Sequence, residues 1–174
     1  MEEYVMETLH LVLRKFANSD FQDFSELIRD KQASKYAIYD DQFPTDEENL
    51  RNILLYFAGT DEFFAVELKS ENKVIGFISL NYTDDSTRNL GFCIHTNYQG
   101  NGYAKEAVSE LLSYAKHKLN VHRLISGTAK ANIPSVELLK SAGFSITGES
   151  IGSFVNDESG NPLEFTAYSF ECIL

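Results

Sequence analysis

Leu90-Gly91-Phe92-Cys93-Ile94-His95, followed by Tyr98-Gln99-Gly100-Asn101-Gly102-Tyr103-Ala104 and then by Ala107, Val108, Leu111, Leu112 and Ala115, is the stretch that decides the fold. Its first part alternates like a strand. Its last part repeats at three-four spacing like a helix. Between them lies a turn with two glycines. Glycine reaches backbone conformations closed to other residues. The first N–H groups of a helix have no partner within it and carry the positive end of the macrodipole, so strand, glycine turn and helix together cradle an anion such as phosphate. No Gly-Lys-Ser/Thr closes this turn, so it is not a Walker loop. It also lacks the three-glycine dinucleotide fingerprint, and no strand-helix-strand unit opens the chain.

Upstream, Thr8 to Arg14 alternates with Leu9, Leu11 and Leu13 on one face, which predicts a first strand. Asn18-Ser19-Asp20 is a cap cluster before a helix with Phe21, Phe24, Leu27 and Ile28 at helical spacing. Thr45, with Glu48 three residues on, predicts the cap of a second helix that buries Leu50, Ile53, Leu54 and Phe57 and ends at Gly59. Phe63 to Leu68 and Val74 to Tyr82 read as strands joined across Ser70-Glu71-Asn72-Lys73. Asp84-Asp85-Ser86 then turns into the deciding strand. Downstream, Arg123 to Thr128 is a further strand, most simply parallel to the one before the long helix. Pro134 stands in the first turn of a short helix stopped by Gly143. Phe144 to Phe154 and Leu163 to Ile173 close the chain as two strands.

At 174 residues the chain fits one domain, residues 1–174, long enough for a sizeable core. No run has the length of a membrane span, and Met1-Glu2-Glu3-Tyr4 lacks the basic and apolar regions of a signal peptide, which points to the cytoplasm. Cys93 and Cys172 sit in strand-like runs and read as core thiols. Two cysteines and four scattered histidines offer no metal spacing. The net charge of −11 argues against nucleic acid as a partner and suits a cationic one, or serves only solubility.

The turn Gln99-x-x-Gly102-x-Ala104 resembles the signature of the GNAT N-acetyltransferases, whose loop grips the pyrophosphate of coenzyme A. Tyr103-Ala104-Lys105-Glu106-Ala107, Asn132-x-x-Ser135-x-x-Leu138-Leu139-x-x-Ala142-Gly143-Phe144 and Leu9-x-Leu11-x-Leu13-Arg14 are similar to motifs of the branch that holds the ribosomal-protein N-terminal acetyltransferases. The order of elements covers nearly the whole chain. The resemblance implies an α/β (α+β) GNAT fold. That fold has a central, mixed but mostly antiparallel seven-stranded sheet, flanked by about four helices and splayed between strands 4 and 5. Two positions depart from the branch. Gln99 stands where those enzymes often carry Trp, and His10 where they usually have Arg. Neither falls on the expected cofactor contacts.

The resemblance further implies acetyl transfer from acetyl-CoA, without metal, to a primary amine by direct attack. Gln99, Gly100, Asn101, Gly102, Tyr103 and Ala104 would offer backbone N–H groups to the pyrophosphate. Phe92, Cys93 and Ile94 would lie along the pantetheine, with an N–H near Ile94 meeting the thioester oxygen. Asn132 would bond pantetheine amides, or simply cap its helix. Ser135 would protonate or polarise the leaving thiolate, or simply satisfy the first helical turn. The base is not legible. Glu149 is one candidate, Asp84, Asp85 and His95 are others, and each reads equally as a solvated surface group. The acceptor, a protein N-terminus or a small amine, would be chosen by residues 31–43 and 155–164. No nucleic acid or membrane partner is expected, and a homodimer stays open. An acyl-CoA-sensing module without turnover is the alternative, against which the retained Ser135 speaks.

Overall fold

The computed structural model describes residues 5–174. One sheet runs in the order β1-β2-β3-β4-β5-β6-β8-β7. Its strands are β1 (Met6–Glu7), β2 (Leu11–Arg14), β3 (Phe63–Leu68), β4 (Lys73–Asp84), β5 (Thr87–Ile94), β6 (Arg123–Ala129), β7 (Ser145–Gly152) and β8 (Phe165–Ile173). Only β5 and β6 pair in parallel, as the helix between them requires. The helices are α1 (Phe21–Ala33), α2 (Glu47–Gly59), α3 (Tyr103–His117) and α4 (Ile133–Ser141).

Eight strands rather than seven appear because the short β1 precedes the expected first strand, which itself begins only at Leu11. The Thr8 N–H bonds the Leu11 carbonyl at 2.9 Å, so residues 8–10 turn back and β2 starts at Leu11. Leu9, expected on the buried face, sits in that turn 81% exposed. The two final strands are also rearranged. β8 inserts between β6 and β7, leaving β7 at the edge.

The sheet separates two cores. On one face α3 buries Ala107, Val108, Leu111 and Ala115 against Leu80, Leu90, Leu124 and Phe170. Each large side chain removed from water there contributes about 1.5–3 kcal/mol. On the other face Phe24, Leu27 and Ile28 of α1 meet Leu50, Leu54 and Phe57 of α2 over Ala65, Val74 and Phe77. The α2 cap is Asp46, not Thr45. Its carboxylate accepts from the Asn49 N–H at 3.1 Å, and bonds from Asn49 hold it below the usual carboxylate range. Arg14 on β2 joins sheet to helix, bonding both Asp20 oxygens at 2.8 and 2.9 Å and Glu67 at 2.7 Å.

The expected splay falls between β5 and β6. Their pairing covers only Thr87, Arg88 and Asn89 opposite Arg123, Leu124 and Ile125. Beyond Asn89 the strands diverge. β5 stays on β4, where a Cβ on Gly76 would lie 2.3 Å from the Cys93 carbonyl oxygen, so only glycine lets the two strands run this close.

Candidate functional site

The turn from β5 to α3 opens onto this gap. Gly100 and Gly102 adopt φ of +79° and +81°, and a Cβ on either would meet no atom within 4 Å. Glycine is required there by backbone angle and not by space. Gly102 is the N-cap of α3 and supplies no capping side chain. In contrast, Asp46 caps α2 and Asn132 caps α4. The first-turn N–H groups of the longest helix therefore stand bare where the cleft passes. The turn is anchored from outside. Asp30 of α1 accepts from the Thr96 N–H at 2.8 Å and its hydroxyl at 2.9 Å. The Tyr98 hydroxyl bonds Glu71 at 2.7 Å.

Backbone phase prepares the β5 edge. The His95 N–H bonds the Ile75 carbonyl at 2.8 Å. Antiparallel pairs alternate between bonded and non-bonded. With the register Cys93↔Phe77 and Ile94↔Gly76, the amides of Phe92 and Ile94 then point away from β4 and into the gap. Two carbonyls on that edge are already used. The Ser126 hydroxyl of β6 donates to the Leu90 carbonyl at 2.9 Å, at the vertex of the splay. The Gln99 side chain donates to the Ile94 carbonyl at 2.8 Å. Both groups of Phe92 and the N–H of Ile94 are left facing the gap. Ser126 carries no motif, and only its register on β6 reveals its part.

Asn132 and Ser135 lie across the gap, with Pro134 and Leu138 on the same wall. The Asn132 side-chain oxygen accepts from the Ser135 N–H at 3.4 Å. Asn132 is therefore a helix cap through its side-chain oxygen. Among the described residues the Ser135 hydroxyl has no hydrogen-bond partner.

The cleft brings together Phe92, Cys93, Ile94, Gln99, Gly100, Gly102, Tyr103, Ala104, Asn132 and Ser135. Some of these serve differently than expected. The Gln99 N–H is taken by the Thr96 carbonyl at 3.2 Å, so Gln99 shapes the loop and donates nothing outward. Asn101 holds the same loop, its side chain bonding the Tyr98 and Gln99 carbonyls at 3.1 and 3.3 Å. Cys93 pairs its backbone with Phe77 and packs its side chain on the α1–α2 face. Burial pushes its thiol up to about 12, which keeps it neutral near pH 7.

Four candidate bases lie elsewhere. Glu149 faces the Tyr168 side of β7, half-exposed and 3.5 Å from Lys130, because alternation turns its neighbours Ser150 and Gly152 to the cleft instead. Asp84 folds onto Ser86 in the β4–β5 turn, and Asp85 receives the Tyr82 hydroxyl. His95 is buried against α1, its Nδ1 accepting from the Asn97 N–H at 3.1 Å. His10 also departs from expectation, because it touches the first residue of α3, one of the expected cofactor contacts. Its ring packs edge-on against Tyr103 at 5.9 Å and bonds Glu106 at 2.9 Å. Burial works against ionisation of Glu106. Bonds from the Thr8 hydroxyl, the His10 N–H and the His10 ring outweigh it and hold the carboxylate below its usual range.

On the α1–α2 side the gap widens into a second lobe, and the whole cleft encloses about 1050 Å³. Several residues of the 31–43 stretch line it, among them Lys31, Tyr39 and Phe43. The 155–164 turn does not, and the flanking Phe154 and Phe165 take its place. Among the described residues no three His, Cys, Asp or Glu side chains are grouped to hold a metal ion, and no helix is long and apolar enough to cross a membrane.

Residues 10–145 match the family model described as the acetyltransferase (GNAT) domain. The chain is 33% identical over 137 residues to the uncharacterized N-acetyltransferase YnaD of Bacillus subtilis, covering 78% of this chain and 79% of that one. Among solved structures, a GNAT-family acetyltransferase from Bacillus anthracis superposes with a TM-score of 0.82 at 24% identity, covering 98% of each chain. The ribosomal-protein-S5-alanine acetyltransferase of Vibrio fischeri also gives 0.82, at 21% identity over 98% of this chain and 97% of that one. Below 25% identity these likenesses speak for the fold.

Proposed function

The chain belongs to the GNAT acetyltransferase family, and from that premise we propose that residues 1–174 act as one domain that moves an acetyl group from acetyl-CoA onto a primary amine in a ternary complex. GNAT acetyltransferases use acetyl-CoA. The observation that carries the reading is the bare N-terminus of α3 under two left-handed glycines, opening onto the free Phe92 and Ile94 amides. An anion at the helix end and an extended amide-bearing arm along β5 fit these two features in sequence. The motif runs around Tyr103 and Asn132 favour the ribosomal-protein branch.

In this mechanism the N–H groups from Gly100 to Ala104 hold the pyrophosphate. Phe92 pairs with the pantetheine, and the Asn132 amide donates to it. The Ile94 N–H meets the thioester oxygen as negative charge develops there. The amine nitrogen attacks the carbonyl carbon, the carbon–sulfur bond breaks, and the electron pair leaves on sulfur. The Ser135 hydroxyl polarises or protonates that thiolate. A coenzyme A thiol should have a pKa near the ~8.5 of cysteine, so a weak acid suffices. None of the candidate bases lines the cleft, so the amine enters as the free base or loses its proton to solvent through the open lobe.

Gly102→Glu tests the reading by placing a bulky anion where the pyrophosphate would lie. Calorimetry should show acetyl-CoA affinity lost while circular dichroism shows the fold retained. Unchanged binding in a folded variant would put the cofactor elsewhere.

A further inference from the structure

The lobe beyond the thioester position has walls of a particular kind. Tyr39, on the α1–α2 connection, meets Phe165 of β8 edge-on at 5.2 Å, and Phe154 stacks on Phe165 at 5.9 Å with planes 19° apart. These rings join the two sides of the cleft and form a bridge over it. Beneath them, alternation and register decide the floor. Gly127 and Ala129 of β6, Ala167 of β8, and Ser150 and Gly152 of β7 line the cleft on this side. Every one is Gly, Ala or Ser. Thr128 and Tyr168 line the cleft from the other face of the sheet, and Phe170 goes to the core there. The result is a slot with aromatic sides and a floor of small residues.

Charge in the lobe is limited. Lys31 is only 9% exposed, and its Nζ lies 3.0 Å from the Asp40 carboxylate and 3.2 Å from the Asp41 carbonyl, over the Phe43 ring. Lys31 and Asp40 cancel. Asp30 spends one carboxylate oxygen on Thr96 and turns the other to the His95 ring at 3.8 Å, which leaves Asp41 on the lining to meet an incoming cation. One ammonium is welcome beside carboxylates and π faces.

We propose that the acceptor is a primary amine carried on a flat aromatic body, an arylalkylamine. The proposal rests on the transferase reading above, since that reading puts the reacting amine in this lobe. Rings of the acceptor would stack against Phe154 and Phe165 with the small floor beneath.

The test measures thiol release from acetyl-CoA with phenethylamine, tyramine, n-butylamine, spermidine and an alanine-initiated tripeptide, alongside calorimetry of acetyl-CoA alone. Phenethylamine and tyramine are expected to exceed the other three by at least tenfold in kcat/KM. Ser150→Leu, on the exposed edge strand, fills the floor, and Phe154→Ala removes a stacking ring from the surface. Each should raise the KM for phenethylamine at least tenfold and leave acetyl-CoA affinity unchanged. Spermidine or the tripeptide as the best acceptor overturns the arylalkylamine proposal and leaves the transferase reading standing. So does an unchanged phenethylamine KM in both folded variants. Absence of acetyl-CoA binding by the unaltered protein overturns both.

Discussion

Ser135→Ala removes one hydroxyl and leaves the α4 cap in place, because Asn132 caps the helix through the Ser135 N–H and not through its side chain. The variant is therefore expected to keep its thermal midpoint. If the hydroxyl meets the departing thiolate, that contact strengthens only in the transition state. Single-turnover and steady-state rates should then show kcat and kcat/KM falling together by about 10- to 1000-fold, with acetyl-CoA affinity little changed. A full-speed variant would remove Ser135 from the reaction and leave the cofactor-strand amides as the only groups acting on the thioester. Gly102 shows the other kind of residue dependence, since its φ of +81° is the requirement and no neighbour crowds it.

At the scale of elements, the gap between β5 and β6 is held open and closed at one point. The Ser126 hydroxyl occupies the Leu90 carbonyl where the parallel ladder ends. Ser126→Val keeps the volume and removes the donor, leaving a buried carbonyl unpaired. Thermal unfolding should show a loss of about 1–3 kcal/mol. Because the vertex fixes how far the strands diverge, acetyl-CoA affinity by calorimetry should weaken by about tenfold, with kcat nearly unchanged. A loss of stability without a change in affinity would make Ser126 a brace of the sheet alone. The helices on either face have separate tasks. α3 presents its bare end to the gap, while α1 ties down the loop start through Asp30.

One cleft runs through the gap between β5 and β6, and under the proposed function its α3 side would take the cofactor and its α1–α2 side the acceptor. Glu149, Asp84, Asp85 and His95 all lie outside the cleft, and under the proposed mechanism the amine reacts as the free base. The dependence of kcat/KM on pH should rise with unit slope and level off near the acceptor's own pKa, about 10 for an alkylamine such as lysine. Exchanging the acceptor for a less basic amine should move the inflection by the difference between the two pKa values. An inflection that stays fixed while the acceptor changes would mark a titrating group of the protein instead. The net charge of −11 favours the encounter with any cationic acceptor and does not by itself choose one.

Residues 90–115 alone dictated strand, left-handed glycine turn and helix, because hydrophobic period and the need for positive φ are local properties. The parallel pairing of β5 with β6 was also legible, since a helix between two neighbouring strands leaves little alternative. Tertiary structure decided what depends on register and face. The β1–β2 turn exposed Leu9 although its alternation with Leu11 and Leu13 is perfect. Asp46 took the cap from Thr45 once the helix began at Glu47. Alternation on β7 turned Glu149 away and Ser150 inward, a one-residue difference that no local pattern fixes on an edge strand exposed along most of its length. Ser126, Tyr39 and Phe165 acquired their places only when strands distant in sequence met. Side-chain direction on a strand follows from its partners, and those partners are chosen by the packed sheet.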